Sequence, residues 1–180
     1  MRRWLRRWLL WAPLALFLLF LGLVAGGLLK PDDGQIRSRM VGKALPDFDL
    51  PPAASDRPGL SRADLATGRP RLLNIFASWC VPCAAESPQL VELARAGVEI
   101  EGVAIRDARG DVDRFLTRWG NPYHRIGLDA RSALQLSLGS SGVPESFVID
   151  GKGVIRYQHI GDIRAEDIPL IRQKLAEAAR

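Results

Sequence analysis

Cysteine, histidine, tyrosine and methionine are scarce in this chain, with two of each among 180 residues. Two cysteines exclude a disulfide framework, and a chain of this length can bury a sufficient core without cross-links. The two histidines, His124 and His159, lack finger spacing, so a zinc site built on the cysteines is short of ligands. Both histidines read as structural or surface residues. No internal repeat or low-complexity segment is present, which leaves one domain of ordinary size plus extras.

Acidic residues are absent from the first 30 positions, whereas Arg2, Arg3, Arg6, Arg7 and Lys30 are there. These five cations equal the net charge of the whole chain, +5, so residues 31–180 are neutral. The basic pI of about 9.8 therefore belongs to the leader and does not point to nucleic acid. Residues 8–29 form a run of 22 without a charge, enough to cross a hydrocarbon core as a helix. Four arginines precede the run, and the positive-inside rule puts the N-terminus in the cytoplasm and the remainder across the membrane. A cleaved signal peptide is the competing account, but its apolar region is usually shorter, and Val24-Ala25-Gly26-Gly27 only weakly approximates a cleavage site. The expected partition is a basic cytoplasmic leader (1–7), a transmembrane anchor (8–29), a tether (30–46) and a folded domain (47–180). On the far side the surroundings are oxidising, where two cysteines in one motif suit redox exchange better than cross-bracing.

What is present is organised around residues 72–88, LLNIFASWCVPCAAESP. An apolar run, interrupted only by Asn74, reads as a central strand covered on both faces. It ends at Trp79-Cys80-Val81-Pro82-Cys83, and a helical pattern follows at once. Unpaired N–H groups and partial positive charge at a helix N-terminus favour a thiolate, which makes Cys80 the expected nucleophile. Cys83, one turn further on, is close enough to resolve a mixed disulfide and too far inside to meet a large partner first. A zinc half-site and an inert disulfide are the plain alternatives. Pro88 cannot donate to Ala84 and is expected to kink the helix, whose apolar face continues through Leu90, Leu93 and Ala94.

Around this centre, residues 47–50 read as a short strand and residues 61–65, with Ser61 as N-cap, as one or two helical turns. Residues 98–105 read as a second strand. Residues 111–119 read as an amphipathic helix with Val112, Phe115, Leu116 and Trp119 on its apolar face, stopped by Gly120-Asn121-Pro122. A short strand over 123–128, a short helix over 130–138, and a hairpin of 147–149 with 154–157 follow. The last helix spans 165–178 with Ile168, Ile171 and Leu175 on one face. Helices between early strands and a late hairpin imply an α/β fold with a mixed sheet. Asp111 and Asp113 read as first-turn helix charge and not as a metal site.

WCVPC after LLNIFAS, the helix proline, and Gly142-Val143-Pro144 before FVID resemble thioredoxin-fold oxidoreductases. Together with GNPY, GVPESFVID and GVIRYQHIGD, they resemble more closely the membrane-anchored thiol:disulfide interchange proteins of cytochrome c biogenesis, the DsbE/CcmG type. The resemblance spans residues 41–175. It implies a thioredoxin-like mixed sheet flanked by helices, preceded by a transmembrane helix. It also implies a periplasmic reductase of the inner membrane, acting on apocytochrome c or on a haem-ligation partner through a mixed disulfide and fed by a transmembrane thiol donor. No cofactor or metal is implied. Cys80 is then the attacking thiol, Cys83 the resolving thiol of a redox-active Cys80–Cys83 disulfide, and Pro144 the cis-proline. Glu86 and Glu145 form an acidic surround, and Gly142 and Val143 help to form the partner groove. The family often has tyrosine where this chain has Ser141, and thioredoxins have a buried aspartate at the position of Asn74.

Glu86 shares a helix face with Cys83 and Leu90, so desolvation is expected to raise its pKa and let it relay a proton to or from Cys83; an exposed helix glutamate is the plain alternative. Pro144 reads as a cis bond that presents the Val143 backbone, or as an ordinary proline at the start of a strand. Glu145 reads as an active-site acid or as a residue that keeps an edge soluble. Trp79 is expected to pack against the motif and shield it, and a plain core aromatic would be equally buried. Asp162 has no derivable role. Two other classes are a same-fold reductase for oxidase assembly or other clients, and a non-catalytic holder or copper chaperone. The latter usually spaces its cysteines three apart and adds a histidine.

Overall fold

The computed structural model describes residues 2–28 and 40–180, with side chains of the first segment given only within residues 11–26. It divides into two units, Met1–Arg37 and Ser38–Arg180. The first contains one helix, α1 (Arg2–Leu28), which runs through Pro13. Among the described residues no helix is long and apolar enough to cross a membrane. The uncharged run read from the sequence, residues 8–29, begins and ends beyond the side chains described.

The second unit contains β1 (Asp49–Leu50), β2 (Leu60–Ser61), α2 (Arg62–Leu65), β3 (Arg71–Phe76), α3 (Val81–Arg95), β4 (Ile100–Ile105) and α4 (Arg109–Trp119). They are followed by β5 (Ile126–Asp129), α5 (Ala133–Ser137), β6 (Glu145–Ile149), β7 (Ile155–Ile160), a 3₁₀ turn (Ala165–Asp167) and α6 (Ile168–Ala178). The main sheet has the order β5-β4-β3-β6-β7, with β3, β4 and β5 parallel and β6 and β7 antiparallel to their neighbours. It is the mixed sheet expected from the alternation of helices and strands. β1 and β2 form a separate antiparallel pair that the sequence pattern does not predict.

Central position explains the composition of β3: from Leu72 to Phe76 every residue is buried, because both faces are covered. On one face Phe76 stacks on Tyr123 with 4.9 Å between ring centroids, and Phe115 of α4 lies 5.7 Å away. On the other face of the sheet the β1–β2 pair lies over β4 and β5. There Gly127 is pressed so closely by Leu50 that an added Cβ would lie 2.7 Å from the Leu50 Cβ.

Several boundaries differ from expectation, each for a local reason. The tether does not extend to residue 46. Gly42 N–H donates to Ile155 O and Leu45 N–H to Gly153 O, both at 2.8 Å, and Leu45 is buried, so this stretch belongs to the domain. Residues 30–39 lie outside those described. The expected helix over 130–138 shrinks to α5 because Ser132 is left-handed and Asp129 caps the turn, its Oδ1 accepting from Ala133 N at 2.8 Å. Residues 123–125 stay outside β5. Trp119 is exposed, with the Arg118 guanidinium over its ring, and does not join the apolar face of α4. The strand alternation over 98–105 gives no sign that Glu101 is fully buried, where it pairs with Arg71 and accepts from Arg125 N. The hairpin forms as expected around Asp150, whose Oδ1 accepts from Lys152 N and Val154 N at 2.9 Å each.

Candidate active site

Strand β3 ends at Phe76 and α3 begins at Val81, so the intervening turn carries Cys80 to the helix N-terminus. Cys80 is the N-cap residue, and its Sγ accepts from Cys83 N at 3.1 Å. A thiolate there would receive the same N–H and the positive end of the helix. Pro82 lies in the first turn, where a missing N–H costs nothing. α3 continues through Pro88, and the Ser87 hydroxyl donates to Cys83 O at 3.0 Å just before the proline. Cys80 and Cys83 are joined in a disulfide. Cys83 is 1% exposed and Cys80 5%, so both sulfurs are shielded and the flank of Cys80 is the more open.

The neighbours are open. Val81 is 80% exposed and Trp79 57%. Both readings of Trp79 required burial, and the structure overturns that: the indole lies over the surface, its Nε1 donating to Arg106 O at 3.2 Å. Ser78 is fixed by Asp107, whose Oδ2 accepts the Ser78 N–H at 2.6 Å while Oδ1 accepts the hydroxyl at 2.7 Å. Sequence reading missed Asp107. Its signal was a carboxylate just past the C-terminal end of a strand parallel to and beside the cysteine strand, where α/β sheets place their sites.

Beneath the cysteines lies a buried polar chain. Tyr123 Oη donates to Asn74 Oδ1 at 2.7 Å, and Asn74 Nδ2 donates to Glu86 Oε1 at 2.9 Å and to Ser146 Oγ at 3.0 Å. The second carboxylate oxygen of Glu86 accepts from Ile163 N at 3.0 Å. Glu86 is 1% exposed, which removes the plain alternative of a solvated helix acid. Burial pushes its carboxyl up to about 7, against the two N–H donors that favour the charged form, and the neighbouring Asp162 carboxylate adds to the rise. Asp162 thus acquires a place beside Glu86, its own Oδ2 receiving Arg164 Nε at 3.3 Å. The Tyr123 hydroxyl is held protonated well above its ordinary range, by burial first and by Glu86 second.

On the other flank, Val143-Pro144 is a cis peptide, and Pro144 is buried immediately before β6. No backbone hydrogen bond of Val143 is made among the described residues. Gly142 O accepts from Gln135 Nε2 at 3.1 Å and Ser140 Oγ at 3.0 Å. Glu145 is 1% exposed, so it does not serve to keep an edge soluble. Its Oε1 accepts both the N–H and the hydroxyl of Ser141 at 2.8 Å, and its Oε2 accepts from Gln158 Nε2 at 2.7 Å. Glu145 clips the loop that precedes Pro144. Alternation along the sheet places Asn74 and Ser146, the neighbours of Glu86, on one face and Glu145 on the other, so the two acids flank the sheet from opposite sides.

His124 is exposed, and His159 lies on β7 with Nε2 3.3 Å from Asp162 O. Asp111 pairs with Arg114 and Asp113 accepts from Ser55 N at 2.9 Å, both ordinary helix-surface roles. Among the described residues no three His, Cys, Asp or Glu side chains are grouped to hold a metal ion.

The arrangement can open and close one disulfide at a helix N-terminus beside a buried acid. Known proteins are similar to this chain. The Redoxin family model matches residues 40–175. The thiol:disulfide interchange protein DsbE of Vibrio cholerae serotype O1 is 41% identical over 180 residues, covering 94% of this chain and 97% of that protein. The protein of the same name from Escherichia coli K12 is 35% identical over 185 residues, covering 97% and 99%. Among solved structures, a Chlorobium tepidum protein provisionally named DsbE superposes with a TM-score of 0.61 at 28% identity, over 78% of this chain and 98% of that one.

Proposed function

This chain belongs to the DsbE-type thiol:disulfide interchange proteins of the Redoxin family, and from that premise we propose that it is a membrane-anchored periplasmic reductase serving cytochrome c maturation. It is a thiol:disulfide oxidoreductase of thioredoxin-like fold. The client in this reading is the disulfide of apocytochrome c or of a haem-ligation partner, and electrons return from a transmembrane thiol donor. Support for the anchor comes from the uncharged run 8–29 behind four arginines, and from relatives that align over 94% and 97% of the chain. The N-terminus then lies in the cytoplasm and residues 30–180 across the bacterial inner membrane.

In the reduced protein the Cys80 thiolate attacks one sulfur of the client disulfide. The new S–S bond joins Cys80 to the client, and the client's other sulfur leaves as a thiolate and takes up a proton. Cys83, giving its proton toward Glu86, then attacks Cys80 Sγ. The client leaves with both sulfurs reduced, and Cys80–Cys83 closes as the disulfide seen here. Glu86 suits this step because a carboxyl near pH 7 can both take and return a proton. Trp79 shapes the rim beside Cys80, while Pro144 and Glu145 hold the loop in which Gly142 and Val143 offer main-chain groups to an extended client.

The observation that carries the reading is Cys80 at the helix N-cap with Cys83 one turn inward, in a chain alike to its relatives along nearly its whole length. Cys83→Ala in the full-length protein should trap a client through Cys80, and the double variant with Cys80→Ala should trap none. Recovery of a haem-binding cytochrome or ligation partner is the expected result. An oxidase-assembly protein in its place would move the chain to a different client, and the absence of any trapped species would remove the enzymatic role.

A further inference from the structure

Among the described residues, two other than glycine lie in the left-handed region, Arg106 at φ 46° and Ser132 at φ 56°. L residues avoid it because Cβ crowds the next carbonyl, and such conformations persist only where the surroundings impose them. Here the two residues hold each other. Arg106 Nε donates to Ser132 Oγ at 2.9 Å, and the N–H groups of both donate to the same main-chain oxygen of Asp129, at 3.2 and 3.1 Å. Ser132 is fully buried, so the knot is anchored in the fold.

From this knot hydrogen bonds run to both flanks of Cys80. On one side Arg106 O accepts the Trp79 indole N–H. On the other, the Asp129 carboxylate seats α5 by accepting from Ala133 N and Gln135 N at 2.8 and 3.0 Å. Gln135 Nε2 then reaches Gly142 O, next to Val143-Pro144. Trp79 and the 142–144 loop, 63 positions apart in the chain if counted from Gly142, thus share one continuous set of bonds.

Building on the reading that a client docks between these flanks, we propose that Arg106, Asp129 and Gln135 form a strut that fixes the separation of Trp79 from the 142–144 loop. They are positioning residues for client docking, and none touches the sulfurs. A preset groove lowers the ordering cost of binding an extended chain, so loosening the strut weakens docking and leaves the exchange chemistry at Cys80 intact.

The test follows single-turnover oxidation of the full-length reduced protein by two substrates: an oxidised peptide with two cysteines two residues apart followed by histidine, and 5,5′-dithiobis(2-nitrobenzoate), a small, readily reduced disulfide that cannot span the groove. Arg106→Gly removes the guanidinium anchor and suits the left-handed backbone, and Gln135→Leu removes the tie to Gly142 at similar volume. Each should raise the half-saturating peptide concentration about fivefold, as for one lost hydrogen bond, with the limiting rate at saturation and the rate on the small disulfide unchanged. Because both variants break the same strut, the double variant should rise little beyond either one. Should Gln135→Leu not fold, Ser132→Gly cuts the Arg106 bond and replaces it. An unchanged half-saturating concentration, fully additive effects, or equal losses on both substrates would overturn the strut. The client reading fails separately: wild type would then favour the haem-motif peptide no more than a scrambled disulfide peptide, on which the strut remains measurable.

Discussion

Glu86 contributes to stability with a sign opposite to that of an ordinary surface acid. Its carboxyl titrates at about 7 in the folded chain, against 4.5 for a free side chain, chiefly because it is buried. Between these pH values the folded state holds a proton that the unfolded state has released. Stability from this group is therefore full below about pH 4.5 and is lost as pH rises through 7, by about 3 kcal/mol in all. Glu86→Gln should flatten that slope in urea unfolding measured from pH 5 to pH 8. Its absolute stability at low pH should drop somewhat, since an amide cannot accept from both Asn74 and Ile163. The same variant should remove the inflection near pH 7 from the rate at which Cys83 resolves a mixed disulfide, measured by stopped flow. An unchanged profile would take Glu86 out of the proton path.

At the scale of elements, the site depends on a sheet whose two faces are held by different means. One face carries the polar chain from Tyr123 to Glu86, with Phe76 stacked on Tyr123. The other is closed by the β1–β2 pair, which crosses β5 where Gly127 leaves room for Leu50. An added Cβ at Gly127 would meet the Leu50 Cβ at 2.7 Å as well as its Cδ1 at 2.8 Å, and the Cβ, fixed to the backbone, cannot swing away. Gly127→Ala should destabilise the domain by about 1–3 kcal/mol, read from chemical unfolding, with the reactivity of reduced Cys80 toward a small alkylating agent nearly unchanged in the folded fraction. A neutral result would mean that the β1–β2 pair shifts at little cost.

For the whole molecule, the two units predict separable properties. The basic charge belongs to the leader, residues 31–180 are neutral, and the hydrogen bonds around the cysteines lie within Ser38–Arg180. A chain lacking residues 1–37 should fold, unfold at the same temperature as the full-length domain, and reduce 5,5′-dithiobis(2-nitrobenzoate) at an unchanged rate. In cells it should leave the membrane fraction and lose the ability to support a membrane-bound client pathway. Membrane fractionation of the truncated and full-length proteins checks this, and a full-length chain found in the soluble fraction would end the anchor proposal.

The sequence by itself determined where the chemistry sits. A strand-like run ending in two thiols spaced for one helical turn needs only local geometry, and so do the hairpin at Asp150 and the helix stop at Gly120. Inward placement of Glu86 follows from helical periodicity, and burial there brings the raised pKa with it. Only the tertiary structure decided which side chains close the site. Asp107 reaches Ser78 from 29 residues away, Arg106 receives Trp79 from 27, and Gln135 meets Gly142 across a turn set by a left-handed serine. Such bonds depend on which strands become neighbours, a long-range outcome that propensity and spacing do not encode. For the same reason Trp79 reads as buried in the chain and stands exposed in the fold: its environment is set by the end of β4, not by its own neighbours.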